Sequence, residues 1–218
     1  MTAANDHPSA PVSAARRSTP AIIRFLLTAL LLLGADLLVK HLSFERVAGA
    51  PVSLERDASG QLPPIPPHEG VTLIPKVLAL ELTLNHGAVF GIGQGQRTLF
   101  VMFTVVATVI IGGLFLRSGA RQIVFHLCLA AVLAGALGNL FDRIFVGAVR
   151  DMFHLFPGVD LPFGWHWPDG SSGLYPWIFN VADVCLVCGI IALIVIMHRA
   201  DRAKVRIARR DAAAANAG

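Results

Sequence analysis

Two aspartates, Asp151 and Asp183, stand beside the most apolar parts of this chain, each with amide or guanidinium neighbours at helical spacing. Asn139, Asp142 and Arg143 fall at i, i+3 and i+4, so a helix lines them on one face. Asn180 and Asp183 are i and i+3, and Asp151 follows Arg143 closely enough to fold back over that helix end. Ionisable groups at membrane depth cost roughly 2.5–3.5 kcal/mol or more each, so they are read as functional by default. Two close carboxylates in a low dielectric cannot both ionise, and one proton is shared between them. Such a pair can take a proton from water as it attacks a carbonyl, then protonate a leaving amine. The plainer alternative is helix pairing. It suits Asp142 and Arg143, but a carboxylate-only pair stabilises nothing.

The elements that must position these groups are membrane spans. Of 218 residues, 55% are hydrophobic and 15% charged, well below the quarter usual in soluble domains. Mean hydropathy is +0.64. Apolar runs at residues 21–39, 98–116, 123–141 and 176–197 are each long enough for a hydrocarbon core of about 30 Å. The first begins after arginines, like a cleavable signal, but its core is long, and the other three spans pair up only if it stays. Residues 1–20, rich in Ala, Ser, Pro and Thr, are expected to be a disordered tail, and 199–218 a basic one.

Charge placement orients the spans. The two ends and the loop at Arg117–Arg121 hold eleven basic residues against Asp6, Asp201 and Asp211, a net of +8. The remainder nets −4, so both termini are expected in the cytoplasm, with 40–97 and 142–176 on the other side. The overall +4 is therefore a positive-inside signature, with some attraction to anionic lipid, and does not argue for nucleic acid.

Between the first two spans lies the sizeable extramembrane segment, 41–97. Leu78, Leu80, Leu82 and Leu84 alternate with period 2, which predicts a strand and a small sheet resting apolar face down on the leaflet. Asp36 and Lys40 share a helix face, either as a helix-end ion pair with Lys40 reaching the headgroups or as part of the site. Ala131-x-x-x-Gly135 and Ala134-x-x-x-Gly138 allow close helix approach. His126 reads as a hydrogen-bonded core histidine. Cys128, Cys185 and Cys188 read as small buried residues, and His154 and His166 match no metal spacing, so no metal or cofactor is expected. Aromatics between Phe153 and Trp177 suit a membrane interface.

Five blocks now read together: Asp36-x-x-x-Lys40, Asn85-x-Gly-Ala-x-Phe90, Gly138-Asn-x-x-Asp-Arg143, Val149-x-Asp151 and Phe179-Asn-x-Ala-Asp183. In this order they resemble the bacterial lipoprotein signal peptidases, also called signal peptidase II. The resemblance implies an all-α membrane protein of four transmembrane helices with a small extracytoplasmic β-cradle. It implies an aspartic endopeptidase of the bacterial inner membrane, cutting prolipoproteins before a diacylglyceryl-modified cysteine and inhibited by globomycin. Asp151 and Asp183 would be catalytic. Asn85, Gly87, Asn139, Arg143 and Asn180 would bind substrate, with Asp36, Lys40 and Asp142 in support. The expected partners are diacylglyceryl-modified prolipoproteins and membrane lipids, with the chain a monomer. Val89, Met152 and a long 154–176 loop depart from the pattern.

Rival chemistries fit less well. A Ser–Lys peptidase needs a paired lysine, and only Lys40, Lys76 and Lys204 exist. A presenilin-like protease would show Gly-x-Gly-Asp, which is absent. A proton-coupled transporter would show more spans and repeat symmetry.

Overall fold

The computed structural model describes residues 13–58, 60–87 and 97–215. Four helices carry the chain: α1 (Thr19–Arg46), α2 (Arg97–Arg117), α3 (Ile123–Phe145) and α4 (Val181–Ala215). Each is long and apolar enough to cross a membrane. A four-stranded antiparallel sheet, ordered β1-β2-β3-β4, is built from β1 (Val71–Ile74), β2 (Leu78–Asn85), β3 (Val149–Leu155) and β4 (Ile178–Phe179).

Helix α3 is the hub, packing against α1, α2 and α4. In its apolar stretch 56% of residues are buried, against 11–17% in the other three. Small residues permit this. A methyl added at Gly135 would meet the Ala182 carbonyl and come within 2.8 Å of Leu186, and one at Gly189 would lie 2.7 Å from Val132. The small-residue spacing read from the sequence is therefore the α3–α4 seam, as expected where packing rather than water exclusion drives association.

The helices overrun the expected spans at several ends. Helix α1 starts at Thr19, with Pro20 in its first turn, after a 3-10 turn at Ala15–Arg17. So part of the expected disordered tail is ordered, while residues 1–12 lie outside the described set. Helix α4 begins at Val181, because Ile178–Phe179 pairs with β3, and it continues through the basic tail to Ala215. Cys188 is exposed rather than buried, whereas Cys128 and Cys185 are buried.

The sheet differs more. Half of its strands come from beyond α3, not from 41–97. Its leucine face is not left open to lipid either. Leu82 is buried with Met152 against Phe44 and Val47 at the end of α1 and Val52 in the following loop. Covering that face with chain buries apolar area at about 25 cal/mol per Å2 without needing the bilayer. The sheet thereby becomes part of the helical body.

Far from the sheet, Arg24 donates to His126 Nδ1 (2.9 Å) and to the Ala120 carbonyl (3.1 Å), and His126 Nε2 meets Ser118 Oγ (2.7 Å). His126 is the bonded core histidine anticipated from the sequence.

Gly135→Ala is expected to push α3 from α4 and cost about 1–3 kcal/mol. Thermal unfolding in detergent should fall by about 2–4 °C per kcal/mol. An unchanged midpoint would show that the seam is looser than described.

Candidate active site

The site grows from two helix ends and one strand. Asn180 caps α4: its side-chain oxygen accepts the Asp183 backbone N–H (3.0 Å), while Asp183 Oδ2 accepts the Asn180 backbone N–H (3.2 Å). This is a reciprocal capping box, and it fixes the Asp183 carboxylate at a helix N-terminus, where the dipole favours negative charge. Asp36 of α1 adds to the same end, accepting the Ala182 N–H at 2.8 Å.

Strand β3 delivers the other carboxylate. Asp151 sits opposite Thr83 of β2 in the ladder, so it shares a sheet face with Asn85 only one strand away. Asn85 Nδ2 donates to Asp151 Oδ2 (3.2 Å) and Asn180 Nδ2 donates to Asp151 Oδ1 (2.5 Å). Burial holds the Asp151 proton, and the nearby Asp183 charge reinforces this. Together they lift its pKa from the ordinary 3.8 to about 7, against the opposing pull of the two amides and Lys40.

Asn139 of α3 joins the two carboxylates. Its oxygen accepts from Lys40 Nζ (3.1 Å) and from Asn180 Nδ2 (3.1 Å), and its nitrogen donates to Asp183 Oδ1 (2.8 Å). A lysine has donors only, so Lys40 dictates which way the Asn139 amide turns. Each aspartate is thus held by an asparagine, and the asparagines hold each other.

Beneath lies a chain of buried charge. Lys40 is 2.8 Å from Asp36 and 3.1 Å from Asp142. Asp142 also accepts from Arg150 through Nε (3.0 Å), Nη2 (2.7 Å) and the backbone N–H (3.0 Å). Two acids and two bases alternate, all buried. Lys40 therefore does not reach out to headgroups, since three acceptors hold it inside. Sequence reasoning missed Arg150 as the second cation. Its signal was the direct adjacency to Asp151 in a strand whose next face it occupies.

Arg143 takes a different place. It donates to the carbonyls of Asn139 (3.2 Å) and Gly87 (2.9 Å), and its guanidinium lies 4.7 Å from the centre of the Phe100 ring of α2. Gly87 N–H in turn donates to Asn85 Oδ1 at 2.9 Å. Of the sequence-chosen residues, Asp36, Lys40, Asn85, Gly87, Asn139, Asp142, Arg143, Asp151, Asn180 and Asp183 all converge. Ala88, Val89 and Phe90 lie outside the described residues. Met152 is buried in the sheet core, and His154 pairs with Glu81 at 2.8 Å.

Residues 28–199 match the family described as signal peptidase (SPase) II. The chain belongs to that family. Lipoprotein signal peptidases similar to it include that of Latilactobacillus sakei, 36% identical over 124 residues, which are 57% of this chain and 72% of that protein. That of Halalkalibacterium halodurans is 35% identical over 134 residues, 62% and 77% of the two chains. That of Burkholderia mallei is 37% identical over 119 residues, 53% and 63%. A bacterial membrane enzyme solved by the in meso method at 2.3 Å resolution shares the fold, with TM-score 0.59, 23% identity and coverage of 80% of this chain and 87% of that one. This signal peptidase II chain is thus a protease and a multi-pass protein of the bacterial inner membrane, in a family that removes signal peptides from prolipoproteins.

Lys40→Met leaves Asp36 buried without its cation, the situation that costs about 3–5 kcal/mol for a broken buried pair. Unfolding in detergent should drop by on the order of 10 °C. A variant as stable as the parent would mean that the charge chain does not hold the bundle.

Proposed function

We propose that Asp151 and Asp183 are the catalytic dyad, and that the bond cut lies just before a diacylglyceryl-modified cysteine. The observation that carries this reading is the linkage of two carboxylates through Asn139 and Asn180, with one carboxyl shifted to about 7. Near neutral pH the pair then holds one proton. The ionised member takes a proton from water, whose oxygen attacks the scissile carbonyl. The protonated member hydrogen-bonds the carbonyl oxygen and later gives its proton to the departing amine, while its partner keeps the proton taken from water, so the pair ends with one proton again. Its task is proton transfer at fixed geometry, which typically contributes 10²–10⁴-fold.

Asn85, Gly87, Asn139, Arg143 and Asn180 are the groups we assign to hold the substrate backbone, and Asp36, Lys40 and Asp142 to hold them. Globomycin is expected to occupy the dyad. From Ala21 to Lys40 the helix rises about 29 Å at 1.5 Å per residue, close to a hydrocarbon thickness. A site at that level, with the basic termini at the other, supports cytoplasmic termini and a dyad near the outer face. We take the working unit to be a monomer.

Purified protein should cut a diacylglyceryl-modified prolipoprotein in detergent, while Asp151→Asn and Asp183→Asn lose at least about 10³-fold, consistent with removed acid–base chemistry. Folded variants that still cut normally would end the dyad assignment.

The pH dependence has a definite sign. The native state keeps a proton on Asp151 that an unfolded chain releases near 3.8, so that contribution to stability fades as pH rises toward 7 and is gone above it. Cleavage should fall over the same upper range, as the shared proton is lost. Asp151→Asn should remove that share of the slope of unfolding midpoint against pH between about 4 and 7. If wild type and variant show equal slopes, Asp151 is not the titrating group.

A further inference from the structure

Among the described residues, six large apolar side chains outside the four helices are exposed: Val71, Leu73, Ile74, Val77, Phe163 and Trp165. They lie on two segments, β1 with its turn and the excursion between β3 and β4. The Phe156 N–H donates to the Val77 carbonyl (2.9 Å), so these segments meet at the end of the sheet away from the aspartates. The excursion is well braced. Leu161 N–H donates to Ser172 O (2.7 Å), Leu174 N–H to Val159 O (2.7 Å), and the Trp167 ring N–H to Gly173 O (2.9 Å). Its two acids are engaged locally, Asp160 by Ser172 and Asp169 by Ser171. At the tip Phe163 is 90% exposed and stands at φ 62°, a left-handed conformation unusual for a bulky residue, with Trp165 65% exposed and its ring 6.1 Å away. Lys76, also left-handed at φ 59°, lies between Ile74 and Val77.

A braced loop that holds two aromatic rings outward in a strained turn, beside aliphatics and one lysine, has the chemistry of an interfacial anchor. Tryptophan favours the membrane–water boundary, apolar side chains enter it, and a lysine reaches headgroup phosphate. We infer that Phe163 and Trp165, with Ile74, Val77 and Lys76, dock the far end of the sheet on the lipid–water interface of the leaflet at which the helices end. The excursion leads through β4 directly into α4, one of the four spans, and that link to the embedded helices makes lipid the occupant. An aromatic series runs inward from the loop through Trp167, Trp177, Tyr175 and Phe179 to Phe153, with neighbouring ring centres 4.6–6.2 Å apart. Phe153 is two residues from Asp151, so the anchor sets the height of β3 relative to the bilayer. That last consequence rests on the proposed dyad; the docking does not.

The test uses the full chain in nanodiscs of phosphatidylethanolamine and phosphatidylglycerol, with and without phospholipid brominated near the headgroup end of its acyl chains. Interfacial apolar groups lie about 5–10 Å into that boundary, so the bromolipid should quench Trp165 about twofold. The Trp165 share is the emission lost in Trp165→Phe, and Phe163→Ser should reduce its quenching. If aqueous iodide quenches Trp165 and bromolipid does not, the loop stands in water and the inference fails. If neither quenches it and the shielding rises with protein concentration, a second copy covers the tip, and it fails again. No readout depends on cleavage, so an inactive protein would count only against the protease reading.

Discussion

The buried ammonium of Lys40 is the constraint on which the rest of the structure depends. It lies between Asp36 and Asp142 and also touches Asn139, so one side chain of the first helix settles groups on α3 and, through Asp36, the start of α4. In a medium where an unpaired charge is very costly, such a group tolerates few alternatives. The alternating sequence Asp36, Lys40, Asp142, Arg150 is neutral overall, so it can be buried beneath the site and leave the aspartates above it to set the local charge. Specificity of arrangement, more than net stability, is what a buried network of this kind contributes.

The aspartates are held mostly by neutral partners. Asn85 and Asn180 contact Asp151, and Asn139 with the α4 cap contacts Asp183. Amides orient a carboxylate with a weaker downward pull on its pKa than a full charge exerts, so burial still holds the Asp151 proton up to about 7. A direct cation at the same distance would pull the pKa down and fix the charge. Arg143 is accordingly turned toward backbone carbonyls and the Phe100 ring.

Much of this was legible in the chain. Span lengths, the i, i+3, i+4 rows on α3 and the small-residue seam follow from helix periodicity, which tertiary context rarely overrides in an apolar run. The convergence of Asn139, Asp151, Asn180 and Asp183 followed from having all four near the same end of two helices. Other features depend on contacts between segments distant in sequence. No local pattern indicates that β3 pairs with β2, since Val149–Leu155 lacks alternation and takes its register from Leu78–Asn85. The covered leucine face and the inward turn of Lys40 were hidden for the same reason. Asn180-x-x-Asp183 could have been read as a capping box, a signal present in the sequence.

The Asp36 to Ala182 hydrogen bond joins the first helix to the last. Chains are synthesised from the N-terminus, so α1 enters the bilayer with Asp36 paired to Lys40 at most, well before Ala182 has been made. Both proposed catalytic carboxylates also arise late, after α3. A nascent chain therefore carries the scaffold but not the complete proposed dyad until its final span inserts and closes against the first. On the proposed dyad, completion of the protease and completion of the bundle are the same event, and a truncated or half-inserted chain would leave its membrane neighbours uncut.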